Sequence, residues 1–393
     1  MKVSDILNLF FRYRPWLPYH FKLIASSLAG TSRQPEYDNG IHLNAVIDWL
    51  CRAQDKRNEQ KDTGGVSAGW SLEDGWLPGY PETSGYIVET FVAAAELLNR
   101  PEFLDRAQRI LNWEMSIQNN DGSFPGHFGE PGSRPVIFNT GQIMHGMVAG
   151  YLKFGRNECL EAALDAGRWM IGKQDSDGCW RSSVHNNIPH TYNTRAAWAL
   201  LRTGLIANES FFVRAAVKNL EWALAQQGEN GWFRNNAFEK GRNPFTHTIA
   251  YAIRGVLESG ILLEDEQYLD ASRKGAHALA GVLHDDGRLN GTFDENWHSN
   301  DNYCCLTGLA QVGIIWTRLD QVSGSNEFSQ QIKRAIVYLK KNHRIDGSGK
   351  PEDGGVAGSV PFWGDYSRFE YPNWAAKFFA DLLIMDMSDA IIP

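Results

Sequence analysis

One kind of turn recurs five times along this chain and limits what the chain can fold into. Each copy follows an apolar helical stretch and carries Asp-Gly or Asn-Gly, often within a pattern Gln-x-x-Asp-Gly-x-aromatic. The copies are Asp121-Gly122, Asp177-Gly178, Asn230-Gly231, Asp286-Gly287 and Asp346-Gly347. Their spacing of 53 to 60 residues is typical of an array whose repeating unit is a pair of helices. Such units bury their apolar faces only against one another, which predicts a single all-α domain.

The two ends of the array indicate that it closes into a ring. One lone helix precedes the first full pair, around Ile41–Asp55, and one lone helix follows the last pair, around Tyr371–Met387. If these two helices pair, the chain forms six helix pairs and an (α/α)6 toroid. We therefore expect residues 41–393 to be one toroid domain and residues 1–40 to be an N-terminal extension.

The two helices of each pair differ in composition. The first helices are rich in small residues, such as Gly141, Gly146 and Ala149, which allow the close packing of an inner ring. The second helices carry more charge, as in Asp105-Arg106 and Lys333-Arg334, and suit an outer ring with one face in water. The Asp-Gly turns end the outer helices, so we expect a structural role for them.

Charge and targeting signals narrow the classes of function. The net charge is −8 with no basic tract, which argues against nucleic-acid binding. The five cysteines form no Cys-x-x-Cys pair, and no signal peptide or membrane span is recognisable, so we expect a cytoplasmic protein. Residues 7–30 are aromatic and basic. We expect them to dock on the toroid, and membrane contact through them is the less favoured alternative.

Chemistry is expected where the inner helices begin. If every turn leads into an inner helix, the six N-termini meet at one mouth of the ring, with free N–H groups and positive dipole ends. Helix capping alone explains Thr83, Thr140, Asn193, Thr246 and Asp301. It does not explain the other reactive side chains there. The candidate catalytic residues are His190, Tyr192, Arg195, His247, Glu82, Asp301 and Glu370.

Two kinds of sugar chemistry fit these candidates. Glycoside hydrolysis needs two carboxyl groups, for which Glu82, Asp301 and Glu370 are available, with Asp74 and Asp365 on long loops behind them. Elimination or epimerisation at a uronic acid needs a base and a group that neutralises the carboxylate, which His190, Tyr192 and Arg195 provide. The tryptophans near this mouth suit stacking on sugars, but they equally suit an apolar isoprenoid pocket. The candidate substrate-binding residues are Trp70, Trp76, Asn139, Gln142, Asn193, Trp297, Tyr303, Trp363 and Trp374.

The turns resemble the repeats of squalene–hopene cyclases and of protein prenyltransferase β subunits over residues 82–350. The resemblance implies the toroid, but the Asp-x-Asp-Asp acid of the cyclases has no counterpart here. In His298–Leu309, which looks like the last prenyltransferase repeat, Asp301 stands where a zinc-ligating His would align. We therefore expect neither a metal nor a cofactor.

The whole chain is similar to the VpsJ-like group of bacterial proteins associated with exopolysaccharide and surface-polysaccharide biosynthesis. The segments His190–Arg195, His247–Tyr251 and Tyr371–Ala375 carry this resemblance. It implies work on an oligosaccharide or polysaccharide, as a glycoside hydrolase, polysaccharide lyase or epimerase. The alternatives are an isoprenoid cyclase or prenyltransferase-like enzyme, and a glycan-binding scaffold without catalysis.

Overall fold

The structure, a computed structural model, describes residues 10–28, 37–130 and 132–388 and is mainly helical. The helices are α1 (Pro18–Leu28), α2 (Asn39–Asp55), α3 (Pro81–Leu97), α4 (Glu102–Ile117), α5 (Ile137–Phe154), α6 (Asn157–Gly172), α7 (Thr194–Ala207), α8 (Ser210–Leu224), α9 (Thr246–Leu263), α10 (Glu266–Gly281), α11 (Leu306–Ser323), α12 (Ser329–Asn342) and α13 (Asn373–Met387). No helix within the described ranges is both long and apolar enough to cross a bilayer.

The long helices form two concentric rings. Helices α3, α5, α7, α9, α11 and α13 each pack against the next, and α13 packs against α3 to close the inner ring. Helices α4, α6, α8, α10 and α12 each cover the inner helix that precedes them. Helix α2 covers α13, so the two ends of the array meet as predicted. The predicted (α/α)6 toroid is confirmed.

Short strands join the loops at one mouth of the ring. Strands β1 (Gly69–Ser71), β2 (Gly75–Trp76) and β5 (Glu370–Pro372) form an antiparallel sheet in the order β2-β1-β5, with Trp70 opposite both Trp76 and Tyr371. Strands β3 (Cys304–Cys305) and β4 (Ser359–Val360) form a second antiparallel pair. These pairings hold the loops before α3 and α13 beside each other, next to the inner-helix N-termini.

Small residues bring the inner helices into backbone contact, as their composition predicts. A side chain added at Gly146 of α5 would lie 2.1 Å from the carbonyl oxygen of Gly85 in α3. The inner ring is therefore tight, and most of its bulky side chains are buried.

The recurring turns bind neighbouring outer helices together. The side-chain amide of Gln118 donates to Gly122 O and to Ala162 O of the next outer helix, both at 2.9 Å. The pattern recurs at Gln174 and Gln227. Gly178 has φ +86°, and a Cβ there would lie 2.2 Å from the backbone oxygen of Lys218. These glycines therefore serve both the left-handed turn and the close approach of the next helix.

Two of the six turns differ from the sequence prediction. The amide of Gln54 donates to Gly64 O at 2.9 Å and to Arg106 O at 3.1 Å, which makes this the sixth turn. The sequence pattern missed this turn because Gln54 and Gly64 are ten residues apart and no Asp-Gly pair lies between them. In the fifth turn the glycine against the next outer helix is Gly354, whose added Cβ would lie 2.4 Å from Ala45 O, whereas Gly347 has open space around it. Gly347 has the left-handed φ of +65° expected of a turn glycine, but Gly354 makes the contact with the next outer helix.

A histidine pair closes the ring at this fifth turn. His343 takes the place that glutamine has in four of the other turns, and its Nε2 lies 2.9 Å from Gly354 O. Its Nδ1 lies 2.9 Å from Nδ1 of His42 in α2. Burial lowers the pKa of His42 to about 3 and that of His343 to about 4, so both rings are neutral.

Candidate active site at one mouth of the ring

The N-terminal ends of the inner helices surround a cavity of about 310 Å³. Helices α3, α5, α9 and α13 contribute lining residues from their first or second turns, and loops between helices supply the rim. The lining residues are Tyr80, Glu82, Tyr86, Phe138, His185, Tyr192, Phe238, Phe245, His247, Tyr251, Asp365, Tyr366, Ser367 and Trp374. Among the predicted site residues, the structure brings Glu82, Tyr192, His247 and Trp374 to this cavity.

Glu82 is a buried carboxyl group in the first turn of α3. The hydroxyl of Tyr80 donates to its Oε2 at 2.8 Å. Burial raises the pKa of Glu82 to about 7, although the Tyr80 hydrogen bond and the charge of Arg195 act in the opposite direction. Near neutral pH this carboxyl therefore exists in both its protonated and its charged form, as a group that donates or accepts protons must.

Arg195 lies beneath the cavity rather than on its wall. Its guanidinium carbon is 5.8 Å from the ring centre of Tyr86 and 5.3 Å from that of Tyr251, two side chains that line the cavity. Its Nε donates to Oε1 of Gln142 at 2.6 Å. Arg195 and Gln142 were predicted to contact the substrate. They instead support the floor, where the buried positive charge acts on Glu82 through space.

His247 supplies a neutral imidazole in the first turn of α9. Its Nδ1 lies 2.8 Å from Oε1 of Gln311, which requires the proton to be on Nδ1. Burial lowers the pKa of His247 to about 3, so the ring stays uncharged near neutrality. Its Nε2 is then a hydrogen-bond acceptor, suited to receive a hydroxyl group of a ligand.

Tyr192 and His190 were both predicted to be catalytic, but only Tyr192 reaches the cavity. Tyr192 lines the cavity, and the ring of His190 stacks on it with centroids 4.4 Å apart. Nε2 of His190 lies 2.8 Å from His185 O. His190 therefore orients Tyr192 and does not line the cavity. Among the described residues the Tyr192 hydroxyl has no hydrogen-bond partner, and burial raises its pKa well above the usual value, so it remains a donor.

A second carboxyl group lies at the rim. Asp365 is exposed and forms an ion pair with Arg368. Next to it, Trp374 donates from Nε1 to the hydroxyl of Tyr366 at 2.8 Å, which fixes both rings against the cavity. The cavity thus combines a buried carboxyl group in its wall with a solvent-facing carboxylate at its rim.

Two predicted carboxylates lie elsewhere. Asp301 accepts a hydrogen bond from the hydroxyl of Thr292 at 2.7 Å and does not line the cavity. Glu370 lies on β5 outside it, and burial raises its pKa to about 7 while the charge of Arg12 lowers it. The structure therefore does not bring Asp301 and Glu370 together with Glu82 in this cavity.

Most of the predicted tryptophan platforms pack against the protein instead. Trp76 packs on Trp49 with ring centroids 5.4 Å apart, and Trp297 donates from Nε1 to Asn230 O at 3.0 Å. The other predicted binding residues outside the cavity are Trp70, Asn139, Asn193, Tyr303 and Trp363. A tryptophan in a loop is large enough to be buried entirely against neighbouring residues of its own protein. Its position in the sequence near the mouth therefore does not show whether it faces a ligand.

Capping does not account for the threonines at the inner-helix starts. The hydroxyl of Thr246 donates to Asn290 O at 2.6 Å, and that of Thr83 donates to Tyr80 O at 3.3 Å. Neither Thr246 nor Asn193 caps its helix by accepting a backbone N–H. The two threonine hydroxyls bind nearby backbone carbonyls, and the side-chain amide of Asn193 has no hydrogen-bond partner among the described residues, so the capping interpretation was wrong for all three.

The aromatic lining was the largest omission of the sequence analysis. Tyr86 follows Glu82 by four residues, and Tyr251 follows His247 by four residues, so each pair shares one face of an inner helix. That spacing was available in the sequence and would have identified both tyrosines. Within residues 10–28, 37–130 and 132–388, no three His, Cys, Asp or Glu side chains converge as metal ligands would.

Ion pairs fill the ring below the cavity. Arg202 of α7 donates to Glu89 of α3 at 2.7 Å, which joins two inner helices that are not neighbours. Arg318 binds both oxygens of Glu258, at 2.9 and 3.1 Å, and Lys377 pairs with Asp381. These buried charged groups lie between the inner helices, and none of them lines the cavity.

Comparisons with known proteins support the toroid. Residues 81–258, less than half of the chain, match the family described as the squalene-hopene cyclase C-terminal domain. A search of curated protein sequences gives no significant match.

Several solved structures share the fold at low sequence identity. Unsaturated glucuronyl hydrolase from Bacillus sp. GL1 is 13% identical, with TM-score 0.66 over 88% of this chain and 96% of that one. Cellobiose 2-epimerase from Bacillus thermoamylovorans B4167 is 12% identical, with TM-score 0.68 over 88% and 98%. A sugar epimerase from a ruminal bacterium is 16% identical, with TM-score 0.69 over 88% and 97%. At these identities the likeness establishes the fold alone.

Proposed function

We propose that this protein is a glycan-modifying enzyme of the glycoside hydrolase type, with Glu82 as the proton donor. One observation carries the proposal: the cavity holds a buried carboxyl group whose pKa is about 7 beneath a rim that carries a second, solvent-facing carboxylate. Two carboxyl groups in such different surroundings are the arrangement that acid-assisted glycoside cleavage requires.

In this mechanism protonated Glu82 donates to the oxygen of the glycosidic bond, and the bond to the leaving sugar breaks. The carboxylate of Asp365 stabilises the positive charge on the sugar ring and accepts a proton from the attacking water. Tyr192 donates a hydrogen bond to the substrate, and Nε2 of His247 accepts one from a sugar hydroxyl.

The aromatic lining supports this assignment. Nine of the fourteen lining residues are aromatic, and flat aromatic faces pack against the apolar faces of sugar rings. Solved structures with the same fold include enzymes named as unsaturated glucuronyl hydrolases and as sugar epimerases. Some enzymes with this fold therefore act on carbohydrates, although a fold by itself does not determine a reaction.

The test is a product analysis with a panel of oligosaccharides that carry neutral, saturated uronate or unsaturated uronate ends. Hydrolysis gives two products whose summed mass exceeds that of the substrate by one water, and the Glu82→Gln variant yields none. Elimination products, which lack this water, or an epimer of unchanged mass seen by chromatography, would replace the hydrolase assignment. A Glu82→Gln variant as active as the wild type would refute the role of Glu82.

An isoprenoid substrate is the second candidate, because the same aromatic faces stabilise carbocations and residues 81–258 match the squalene–hopene cyclase domain. Incubation with squalene and with prenyl diphosphates distinguishes the two. A cyclised or transferred product, together with an inert oligosaccharide panel, would favour this candidate over the glycan.

A further inference from the structure

The segment that precedes the ring presents apolar side chains to solvent. The rings of Phe10 and Phe11 lie 4.9 and 5.9 Å from that of Trp16, and Phe11 is 65% exposed. In α1, Phe21 and Leu28 lie seven residues apart, on one side of the helix, and are 63% and 69% exposed. A helix that only packs on its own protein turns its apolar stripe inward and a polar face outward.

The inner side of this segment is already docked on the toroid. Tyr13 is buried with its ring 4.4 Å from that of Phe369, and Tyr19 packs on Trp70 at 6.0 Å. Leu23 is buried as well. Docking on the protein, the outcome favoured by the sequence, therefore accounts for one side of the segment and leaves the apolar outer side unexplained.

The charge of the segment is opposite to that of the chain. Residues 10–28 contain Arg12, Arg14 and Lys22 and no acidic residue, whereas the formal net charge of the whole chain is −8. Arg14 and Lys22 are exposed and lie within two residues of Trp16 and Phe21 in the sequence. Cationic groups next to exposed Trp, Phe and Leu side chains are the composition of segments that lie in the headgroup region of a bilayer.

This surface lies beside the cavity entrance. The backbone N–H of Phe362 donates to Oγ of Ser27 in α1 at 3.0 Å, and Phe369 packs on Tyr13. The loop between them supplies Asp365 and Tyr366 to the cavity. A partner that covers the outer side of the segment therefore lies close to the entrance of the pocket.

We propose that the aromatic–cationic surface formed by Phe10, Phe11, Trp16, Phe21 and Leu28 with Arg14 and Lys22 binds an anionic lipid bilayer. Aromatic rings enter the boundary between headgroups and acyl chains, and the cations face the lipid phosphates. Binding holds the entrance of the pocket near the membrane surface. The proposal does not depend on the reaction that the pocket performs.

Co-sedimentation of the full chain with vesicles tests the proposal. Vesicles of phosphatidylcholine alone are compared with vesicles that also contain phosphatidylglycerol, at low and at physiological salt. We expect binding to the anionic vesicles, weaker binding to the neutral ones, and a loss of affinity as salt screens the cations. No sedimentation with anionic vesicles at low salt would overturn the proposal.

A triple variant, Phe11→Ser, Trp16→Ser and Phe21→Ser, identifies the surface. We expect its affinity for the anionic vesicles to fall at least about tenfold, since three apolar side chains no longer enter the bilayer. The matched control is Leu152→Ser, Leu205→Ser and Leu262→Ser, which removes exposed apolar side chains at the C-terminal ends of α5, α7 and α9, at the other mouth. Circular dichroism melting curves show that both variants fold.

Two results would contradict the assignment of this surface. Equal loss of binding in the triple variant and the control would mean that the surface has no special role. Sedimentation of the free protein as a dimer that the triple variant abolishes, without vesicle binding, would assign the surface to a second copy of the chain.

Discussion

The six inner helices carry two sets of buried polar groups, one around the cavity at their N-terminal ends and one deeper in the ring. In the deep set, carboxylates face cations, as Glu89 faces Arg202 and Glu258 faces Arg254 and Arg318. In the cavity, the carboxyl of Glu82 meets only a tyrosine hydroxyl within hydrogen-bond distance among the described residues. The Tyr192 hydroxyl beside it meets no partner in the described part of the chain.

This difference separates stability from function on the same helices. A buried charge without a partner is costly, so charges that serve the fold are paired within it. Groups left incompletely satisfied in a pocket are those that a ligand is expected to complete. We therefore expect substitutions in the cavity to lower activity with little effect on stability. Substitutions in the deep set should lower the free energy of unfolding with little effect on kcat.

Replacement of Glu82 tests the cavity side of this comparison and should have the largest effect. We expect Glu82→Gln to lower kcat by about 10²–10⁴-fold, the range that loss of a general acid produces, with an unchanged melting temperature. The matched control is Glu370→Gln, which changes a second carboxyl whose pKa is about 7 but which lies outside the cavity. Equal loss of activity in both variants would break the distinction between the two carboxyl groups.

Replacement of Glu258 tests the deep side. Glu258→Gln leaves Arg254 and Arg318 without their shared carboxylate, and we expect the free energy of unfolding to fall by about 3–5 kcal/mol. Denaturant titration measures this loss, and kcat of the folded fraction should change little. The control is Asp165→Asn, which removes an exposed ion pair to Arg168 and should cost less than about 1 kcal/mol. A deep variant as stable as this control would show that the ion pairs do not hold the ring.

A turn glycine extends the comparison to the outer ring. Gly178→Ala places a Cβ 2.2 Å from the backbone of the next outer helix at φ +86°, so we expect a loss of about 2–3 kcal/mol in the free energy of unfolding. Gly172→Ala, at the end of α6 with open space around it, should be neutral or slightly stabilising. Indistinguishable unfolding curves for the two variants would show that the close approach at Gly178 does not stabilise the ring.

The histidine pair at the ring closure gives the smallest effect at neutral pH and the most specific one in acid. The pKa values of His42 and His343 in the folded protein lie below the ordinary value near 6.5. The stability that burying these neutral rings contributes is therefore fully present above pH 6.5. It is lost as pH falls toward 4, by up to about 1.4 kcal/mol per pH unit for each histidine.

His343→Gln introduces the residue that four of the other turns have, so we expect near-wild-type stability at pH 7.5 and a shallower loss of stability between pH 6 and pH 4. Urea titrations at each pH measure both. His298→Gln, which removes a highly exposed histidine, should keep the wild-type slope. A slope in His343→Gln as steep as in that control would show that protonation at the ring closure does not limit acid stability.

The architecture was predictable because it rests on periodic features. The turn spacing and the lone helices at both ends led to six pairs, and α2 packs on α13 as that count requires. Local variation escaped the pattern: the sixth turn spans ten residues between Gln54 and Gly64, and His343 replaces glutamine in the fifth. What these turns share is hydrogen bonds to the next outer helix. Those bonds join residues far apart in the sequence, so a short sequence motif does not identify them.

The site was predictable only in its location. Glu82, Tyr192, His247 and Trp374 line the cavity, since each begins an inner helix or directly precedes one. His190 and Arg195 lie one layer behind. His190 precedes the helix in extended backbone and its ring stacks on Tyr192, and the guanidinium of Arg195 packs against the rings of Tyr86 and Tyr251. Sequence alone places residues at the mouth, whereas packing decides which of them reach the opening.

The pH dependence of kcat/KM is the measurement that tests the central claim most directly, once the oligosaccharide panel has provided a substrate. If Glu82 acts as the proton donor, the reaction requires its protonated form in the free enzyme. The account predicts that kcat/KM stays high below pH 7 and falls about tenfold per pH unit above it, and that this alkaline limb disappears in the residual activity of Glu82→Gln. A kcat/KM that rises through pH 7, or an alkaline limb that survives in the variant, would contradict the claim.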